Sequence, residues 1–481
     1  MEGSELSPFD GAHVQAIAPT FSKKSEIELR EDINKDITPN RHKSESLRPK
    51  SSWLSRFCLH WLTAYRILIA FAVLFNLTIL VALIPLRLPL ENVLVATAAN
   101  LLASILTRQE DLINLSFGLV SRLPTGLPLG FRSIIADFHH YGGVHIGTAM
   151  SSLMWYVLFV GLNTATCVER AKAGTMTRWH WVDIITCYAF LTFLLLICLS
   201  AIPRFREKFH NHFERTHRFA GWASIIVLWI NSGISTIVDP THTPLYKSRS
   251  IWLLALTTLF IILPWLRIRR VSILAETISA REIKLAFPYA NMPYTSTCRF
   301  SLSPLFEWHA FATIPSPDAL SASIVISAAG DWTKTIVAHP PQRIWIRAPP
   351  TANFLSFTSV FNSVLLVATG AGIAPMLSLL ASPAIKRMLA ARKKVRFMWC
   401  VYDSGAPHWA FAQEAIRKVD PVPKILDSKA GRPDVAFEAR YLAQTEGLEA
   451  VMVVSNKKVT NEVVREVKRC GGAAYGAVFD S

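Results

Sequence analysis

The sequence predicts a multi-domain protein in which a six-helix transmembrane bundle precedes an antiparallel β-barrel and then an α/β domain. Three observations carry this expectation. Of the 481 residues, 51% are hydrophobic and only 17% are charged, which is too apolar for an ordinary soluble protein. The apolar residues gather into six long runs before residue 267. Beyond it the pattern changes to short runs rich in Ile, Val and Phe with turn residues between them, and then to strand-like and helix-like segments around a glycine turn.

Residues 1–56 are polar, rich in Ser, Lys and Glu, and lack the apolar core of a cleavable signal peptide, so a disordered cytosolic tail is expected there. The transmembrane domain is expected over 57–268. Its apolar stretches lie near 61–83, 92–106, 143–162, 182–201, 220–238 and 251–266, and each covers most or all of a hydrocarbon core of roughly 30 Å at about 1.5 Å per helical residue. The second and sixth are the shortest. With the N-terminus in the cytosol, the inner connections hold eleven Lys and Arg residues and the outer ones six. The positive-inside rule favours that orientation. It makes the chain a multi-pass protein of the lipid bilayer with both termini cytosolic.

Nucleic acid is not an expected partner, because the net charge of +16 comes from scattered Lys and Arg with no basic stripe interleaved with aromatics. The seven cysteines form no CxxC pair, and several fall inside apolar runs, so neither a disulfide framework nor a zinc site is implied.

Histidines cluster beside two spans. His139, His140 and His145 precede or open the third, and His210, His212 and His217 precede or open the fifth. Both spans run the same way, so His145 and His217 lie at a similar cytosolic depth, where neutral imidazoles from two helices can hold a single haem b. Interfacial histidines beside basic loops would carry the same pattern.

The β-like region is expected to span 269–350 and to close as a compact antiparallel barrel. The α/β domain, 351–481, opens with the strand-like run Ser363-Val-Leu-Leu-Val-Ala368, which leads into Thr369-Gly-Ala-Gly-Ile-Ala-Pro375 and an apolar helix-like segment. A strand, a glycine turn at Gly370, Ala371 and Gly372, and a helix start at Ile373, Ala374 and Pro375 form a phosphate cradle. Glycines let the backbone approach a pyrophosphate, and the helix dipole favours the anion. Strand-like runs at 395–401 and 450–455 support a nucleotide role, against a tight turn in an ordinary α/β domain.

At Leu305-Phe-Glu-Trp-His-Ala-Phe-Ala312 the chain resembles the E-W-H-P-F-T flavin motif of ferric reductases and NADPH oxidases. That family joins a six-helix haem domain to an FAD-binding barrel and an NAD(P) domain. The likeness runs from about residue 61 to the end, and its pieces recur in the family's order. Gly330-Asp-Trp-Thr333 resembles the G-D-W-T after the flavin motif, the glycine turn at 370–375 the nicotinamide-nucleotide loop, and Gly431-Arg-Pro-Asp434 the G-R-P-[ND] segment. As a whole, and partly in its ending Ala474-Tyr-Gly-Ala-Val-Phe-Asp-Ser481, the chain resembles a fungal ferric-reductase-like group of integral membrane proteins that includes TmpA.

The resemblance implies an FAD site at Trp308, His309, Phe311, Gly330, Asp331, Trp332 and Thr333. It implies a site for NADPH or NADH at Gly370, Ala371, Gly372, Ile373, Ala374 and Pro375 and at Gly431, Arg432, Pro433 and Asp434. The chemistry of these residues agrees. Aromatic and imidazole rings offer flat surface to an isoalloxazine, Gly330 and Thr333 offer donors to a pyrophosphate, and the Arg432 guanidinium matches an adenosine phosphate. A core aromatic cluster and an exposed turn are the alternatives.

The chain also departs from the family. Ala310 replaces the proline and Ala312 the threonine of the flavin motif, Arg347-Ala-Pro-Pro-Thr351 stands where D-G-P-[YF]-G is expected, and Ser455 replaces the cysteine near the nicotinamide. In the membrane, a second haem needs histidines thirteen or fourteen residues after His145 and His217, at about 20 Å along each helix. Those positions hold Leu158 or Phe159 and Ile230 or Asn231. The sequence therefore points to a flavin-dependent reductase whose electrons stay on the cytosolic side. The other readings are a trans-membrane ferric reductase and a non-catalytic membrane protein in signalling or development. No catalytic residue and no electron acceptor is identified.

Overall fold

The computed structural model describes residues 57, 61–83, 89–238 and 244–477. The tail expected at 1–56 and the end of the chain, 478–481, lie outside them.

Long apolar runs make the first half helical, with Pro264 near the end of the last of them. The helices are α1 (Ala64–Leu83), α2 (Leu90–Leu106), α3 (Glu110–Val120), α4 (Leu129–Ala136), α5 (Gly142–Lys172), α6 (Arg178–Ser200), α7 (Pro203–Lys208), α8 (His210–Val238) and α9 (Arg249–Leu266). Of these, α1, α5, α6 and α9 are long and apolar enough to cross a membrane. The 17 residues of α2 fall just short alone, and its helical path bends by 67° into α3. Helix α8, whose first turns are polar and basic, is not among the four. Helix α5 runs ten residues beyond the stretch expected from hydropathy, and α8 begins ten residues before its own.

Helix α5 packs on α1, α2 and α6, while α8 packs on α6 and α9 on α2. Small residues set the closest approach. A Cβ added to Gly143 would lie 2.3 Å from the Tyr65 carbonyl oxygen, and one at Gly147 2.7 Å from the Ala72 Cβ. Trp155, Tyr156, Phe159 and Phe190 fill the interior. Several polar groups buried there pair with one another, which offsets their removal from water. Asn76 accepts from Asn100 at 2.7 Å and from the Trp155 indole at 2.9 Å. The Asp183 carboxylate accepts from Asn163 at 2.8 Å and from Asn231 and Ser235 at 3.0 Å.

The connection between α2 and α5 is itself folded. Helices α3 and α4 and the 3-10 turn Asp137–His140 form a platform on which the second half of the chain rests. Ile113, Phe117 and Ala136 enter the same core as Phe354, Phe357 and Phe361. Asn114 accepts from the Ala352 N–H at 2.7 Å and donates to the Pro350 carbonyl at 2.9 Å, which extends the neighbouring strand's hydrogen bonding into α3. Arg132 grips Glu449 with two nitrogens, at 2.9 and 3.2 Å, and donates to the Val360 carbonyl.

The next region holds β1 (Ile268–Ser272), β2 (Leu274–Thr277), β3 (Glu282–Pro288), β4 (Ser296–Ser301), β5 (His309–Ala312), β6 (Ile314–Pro315), β7 (Ser321–Ser327), α10 (Asp331–Ala338) and β8 (Arg343–Ala352). Strand β3 alternates buried and open residues, the period-2 signature of a sheet with one face on a core, whereas β7 is buried through its middle and β2 is open throughout. In place of one continuous barrel there are two antiparallel sheets, ordered β1-β8-β4-β5 and β2-β3-β7-β6. One core unites them, through Ile283, Leu285, Phe300, Ile324, Ile344 and Ile346. The chain turns the corner between sheets at β1 to β2 and at β5 to β6, each across one residue, which is how strands switch sheets in orthogonal packings.

The last region is a parallel sheet of β9 (Ser363–Thr369), β10 (Lys394–Val401), β11 (Lys424–Asp427), β12 (Ala450–Val454) and β13 (Ala473–Gly476). Helix α11 (Ile373–Leu380) covers one face with α12 (Pro383–Ala390) and α13 (Ala410–Arg417). Helices α14 (Val435–Thr445) and α15 (Lys457–Arg469) cover the other. The order β11-β10-β9-β12-β13 is doubly wound and reverses between β9 and β12. Ligands of such folds bind outside the carboxyl ends of the strands at that reversal.

Candidate functional site

The two flavin-like motifs, far apart in sequence, meet in space. Strand β5 pairs with β4 so that His309 faces Phe300 and Phe311 faces Cys298. The period of two puts His309 and Phe311 on one face. Trp332, in the first turn of α10, lies across both: its ring is 4.2 Å from His309 and 5.7 Å from Phe311, tilted 25° to each. Glu307 ties this stack together, accepting from the Trp332 indole N–H at 2.9 Å and lying 3.2 Å from His309 Nε2. Trp308 turns away and donates to the Pro304 carbonyl at 2.9 Å, with the Arg347 guanidinium 5.8 Å above its ring.

Gly330 precedes α10, and a Cβ there would meet nothing within 4 Å, so the approach to the helix start is open. Thr333 is committed locally, since its hydroxyl accepts from the Ala329 and Gly330 N–H groups at 3.0 and 2.9 Å. Asp331 lies in the first turn, where a carboxylate suits the helix dipole.

Beside this stack lies a buried ion cluster that the sequence reading did not single out. Glu110, only 3% exposed, accepts from Arg299 at 3.1 Å and from Arg347 at 2.5 Å. Burial, aided by Arg299 and opposed by Glu110, pulls the Arg347 guanidinium down to about 10. The nearby Cys298 thiol is pushed up to about 12 by burial and is held as a thiol. The cluster joins β4 and β8 to the platform. Its three members lie 189 and 237 residues apart, so no local motif announces it.

The glycine turn sits at the sheet reversal. Gly370 has φ +49°, the left-handed region, and accepts from the Trp399 indole through its carbonyl at 3.2 Å. Gly372 passes so close to β12 that a Cβ would lie 2.5 Å from the Val454 carbonyl oxygen. Ala371 completes this turn, and Ile373, Ala374 and Pro375 form the first turn of α11. Across the reversal, Ser455 sets its hydroxyl 2.6 Å from that of Thr369. Ser455 thus lines the cradle, signalled in the sequence only as the replacement for an expected cysteine. The turn also packs against β7, which brings it next to the strands of the flavin-like region.

Gly431-Arg-Pro-Asp434 follows β11. Gly431 takes φ +142°, Asp434 caps α14 by accepting from the Phe437 N–H at 3.0 Å, and Pro433 joins them. Arg432 is exposed and within electrostatic range of Cys400 at the end of β10. It is therefore on the ligand side of the sheet.

His145 and His217 lie within electrostatic range of each other and of Arg108. His145 Nδ1 lies 2.9 Å from the Ser104 carbonyl oxygen. The Ser104 hydroxyl lies at the same 2.9 Å from that nitrogen, so Ser104 holds the ring through Nδ1, and donation to the carbonyl would leave Nε2 as a lone-pair donor, the arrangement found in metal-ligating histidines. The buried Nδ1 of His217 has no partner. One residue on, Arg218 donates to the Leu305 carbonyl at 3.0 Å, and Phe219 packs 6.1 Å from Phe306. The loop that leads into His309 therefore rests on α8. Toward the other end of the bundle, Phe159 and Asn231 are buried within the packed interior.

Comparison with known proteins places these features in a wider group. Residues 354–481 match the family model described as "Adenylate-forming reductase 03009, C-terminal domain". Adenylate-forming reductase 03009 of Coprinopsis cinerea is 33% identical over 389 residues, which is 80% of this chain and 37% of that protein. The chain thus spans little more than a third of the length of that relative. Ferric reduction oxidase 8, mitochondrial, of Arabidopsis thaliana is 30% identical over 132 residues, 24% of this chain and 16% of its own length. Among solved structures, a ferredoxin NADP+ reductase from Neisseria gonorrhoeae with bound FAD and NADP is similar with a TM-score of 0.35 and 15% identity. It covers 44% of this chain and 98% of its own.

Proposed function

We propose that this chain is a membrane-embedded oxidoreductase of ferric-reductase-like type, related to the TmpA group. It draws electrons from NADPH or NADH through FAD and delivers them to a small acceptor in the membrane or at its cytosolic face. The observation that carries this reading is the seat of the flavin-like loop on α8, where Arg218 holds Leu305 one residue away from His217. Partial identity to the plant ferric reduction oxidase supports it. Adenylate formation, named for the longer fungal relatives, is not assigned to this chain.

In this reading His309, Phe311 and Trp332 would wall the isoalloxazine, and Trp308, turned away from them, would brace the loop through the Pro304 carbonyl. Gly330, Asp331 and Thr333 would shape the start of α10 beside its phosphates. Bound flavin supplies the change from two-electron to one-electron transfer. Glu307 contacts both His309 and Trp332 and so holds the stack in a fixed orientation. Gly370, Ala371, Gly372, Ile373, Ala374 and Pro375 would cradle the nicotinamide nucleotide's pyrophosphate. Gly431 and Pro433 would hold Arg432 toward its adenosine end, and Asp434 would set α14 beneath it.

His145 and His217 would hold one haem b, with Ser104 fixing the ring of His145. The outer positions, Phe159 and Asn231, carry no imidazole, so the electrons stop on the cytosolic side. The test is a visible spectrum of detergent-purified protein with a pyridine haemochrome assay. Flavin and no more than one haem per chain is the expected result. Two haems would establish a trans-membrane reductase instead, and a colourless protein would establish a non-catalytic role.

A further inference from the structure

We propose that Asp137, His139 and His140 form a binding site for a divalent first-row transition-metal ion, at the seam between the platform and the α/β domain. The 3-10 turn that ends the platform brings one carboxylate oxygen and two imidazole nitrogens within 4.8 Å of one another. Two imidazoles and a carboxylate suit Zn2+ or Fe2+, and are a poor match for Mg2+ or Ca2+, which prefer oxygen alone. The cysteine pattern excludes only a thiolate site.

His139 points to a ligand independently of this grouping. It is 5% exposed, and its Nδ1 lies 2.9 Å from the Ala136 carbonyl oxygen, so the ring is a donor there and carries its lone pair on Nε2. That Nε2 is buried with no hydrogen-bond partner. An orphaned buried acceptor of this kind is unfavourable, and carbonyl-fixed Nδ1–H with free Nε2 is the posture of a metal ligand. The ring lies between Phe354 and Tyr475, at 6.0 and 5.7 Å, so it is not free to swing toward water. The His140 ring lies 3.9 Å away. Tetrahedral bonds of about 2.0–2.1 Å require donors closer than 4.8 Å. Asp137 and His140, both half-buried, can supply that closure by side-chain rotation.

One competitor is present. Lys468 of α15 holds Asp137 at 3.2 Å, so metal binding must displace an ammonium from the carboxylate. The site is separate from the haem proposal, because His145 faces Ser104 of α2.

The experiment uses full-length, detergent-solubilised protein freed of metal with a chelator. Zn2+ is titrated calorimetrically, and Cu2+ serves as the paramagnetic probe. The expected results are one Zn2+ per chain, nitrogen coupling in the Cu2+ spectrum, and affinity more than tenfold weaker in His140→Ala. Lys468→Met keeps all three ligands and should bind Zn2+ roughly two- to five-fold tighter, the worth of the lost ion pair. Unaltered affinity in His140→Ala, equal or weaker affinity in Lys468→Met, or Cu2+ without nitrogen coupling would each overturn the proposal. His139→Ala is not required, so a folding defect there does not weaken the test.

Discussion

At the scale of single residues, Trp332 links two stretches of sequence into one surface. Its ring lies against His309 and Phe311, and its N–H is held by Glu307, so the stack has a fixed orientation. Aromatic stacking on a flat heterocycle is worth about 1–3 kcal/mol per contact. His309→Ala combined with Phe311→Ala is therefore expected to weaken FAD binding roughly tenfold or more, read as flavin released per mole of desalted protein; full occupancy in that double variant would reject the site. Glu110 makes a different prediction. Removing the carboxylate in Glu110→Ala leaves Arg347 buried beside Arg299 with no counter-charge, and breaking such a pair costs about 3–5 kcal/mol. The expected outcome is a lower unfolding temperature together with faster flavin loss, whereas an unchanged melting curve would show that the cluster bears no load.

At the scale of elements, the strand, glycine turn and helix from Ser363 to Leu380 were readable because everything they need is contiguous. The apolar run makes β9, the two glycines allow the turn, and the next apolar segment makes α11. Gly372 shows why the pattern is physical. Alanine there would place its Cβ 2.5 Å from a backbone oxygen of β12, which cannot rotate away. Gly372→Ala should cost about 1–3 kcal/mol through forced backbone shifts and weaken NAD(P)H binding while the flavin content stays whole. Equal loss of flavin and nucleotide would mean that the turn serves the whole domain, not the nucleotide. The platform, in contrast, was not legible beyond its charges. Asn114 finds its strand partners 236 and 238 residues away, and Arg132 finds Glu449 317 residues away. Periodicity reports which residues are buried, but not what buries them. The same limit explains the barrel, since strand spacing does not say where a sheet breaks and turns a corner.

At the scale of the whole molecule, the proposed sidedness rests on charge, and the contacts say what shares that side. The charge count favours the connections around 107–142, 202–219 and 267–270 as the inner ones. In the structure those same connections touch the second half of the chain: Arg132 on Glu449, Asp137 on Lys468, Glu207 on Lys457 and Arg218 on Leu305. A domain docked on the inner connections shares their side of the membrane, because moving it across would break every one of these pairs and expose the core that Ile113 and Phe117 share with Phe354. The segment after residue 271 is therefore expected to be protected from protease in sealed, right-side-out vesicles and cut only after permeabilisation. Platform variants sharpen the test. Arg132→Ala removes the two-nitrogen grip on Glu449, and should raise the cleavage rate in opened vesicles without making the segment accessible in sealed ones. Cleavage in sealed vesicles would overturn the topology and with it the cytosolic source of electrons, while an unchanged rate in Arg132→Ala would show that apolar packing alone holds the two halves together.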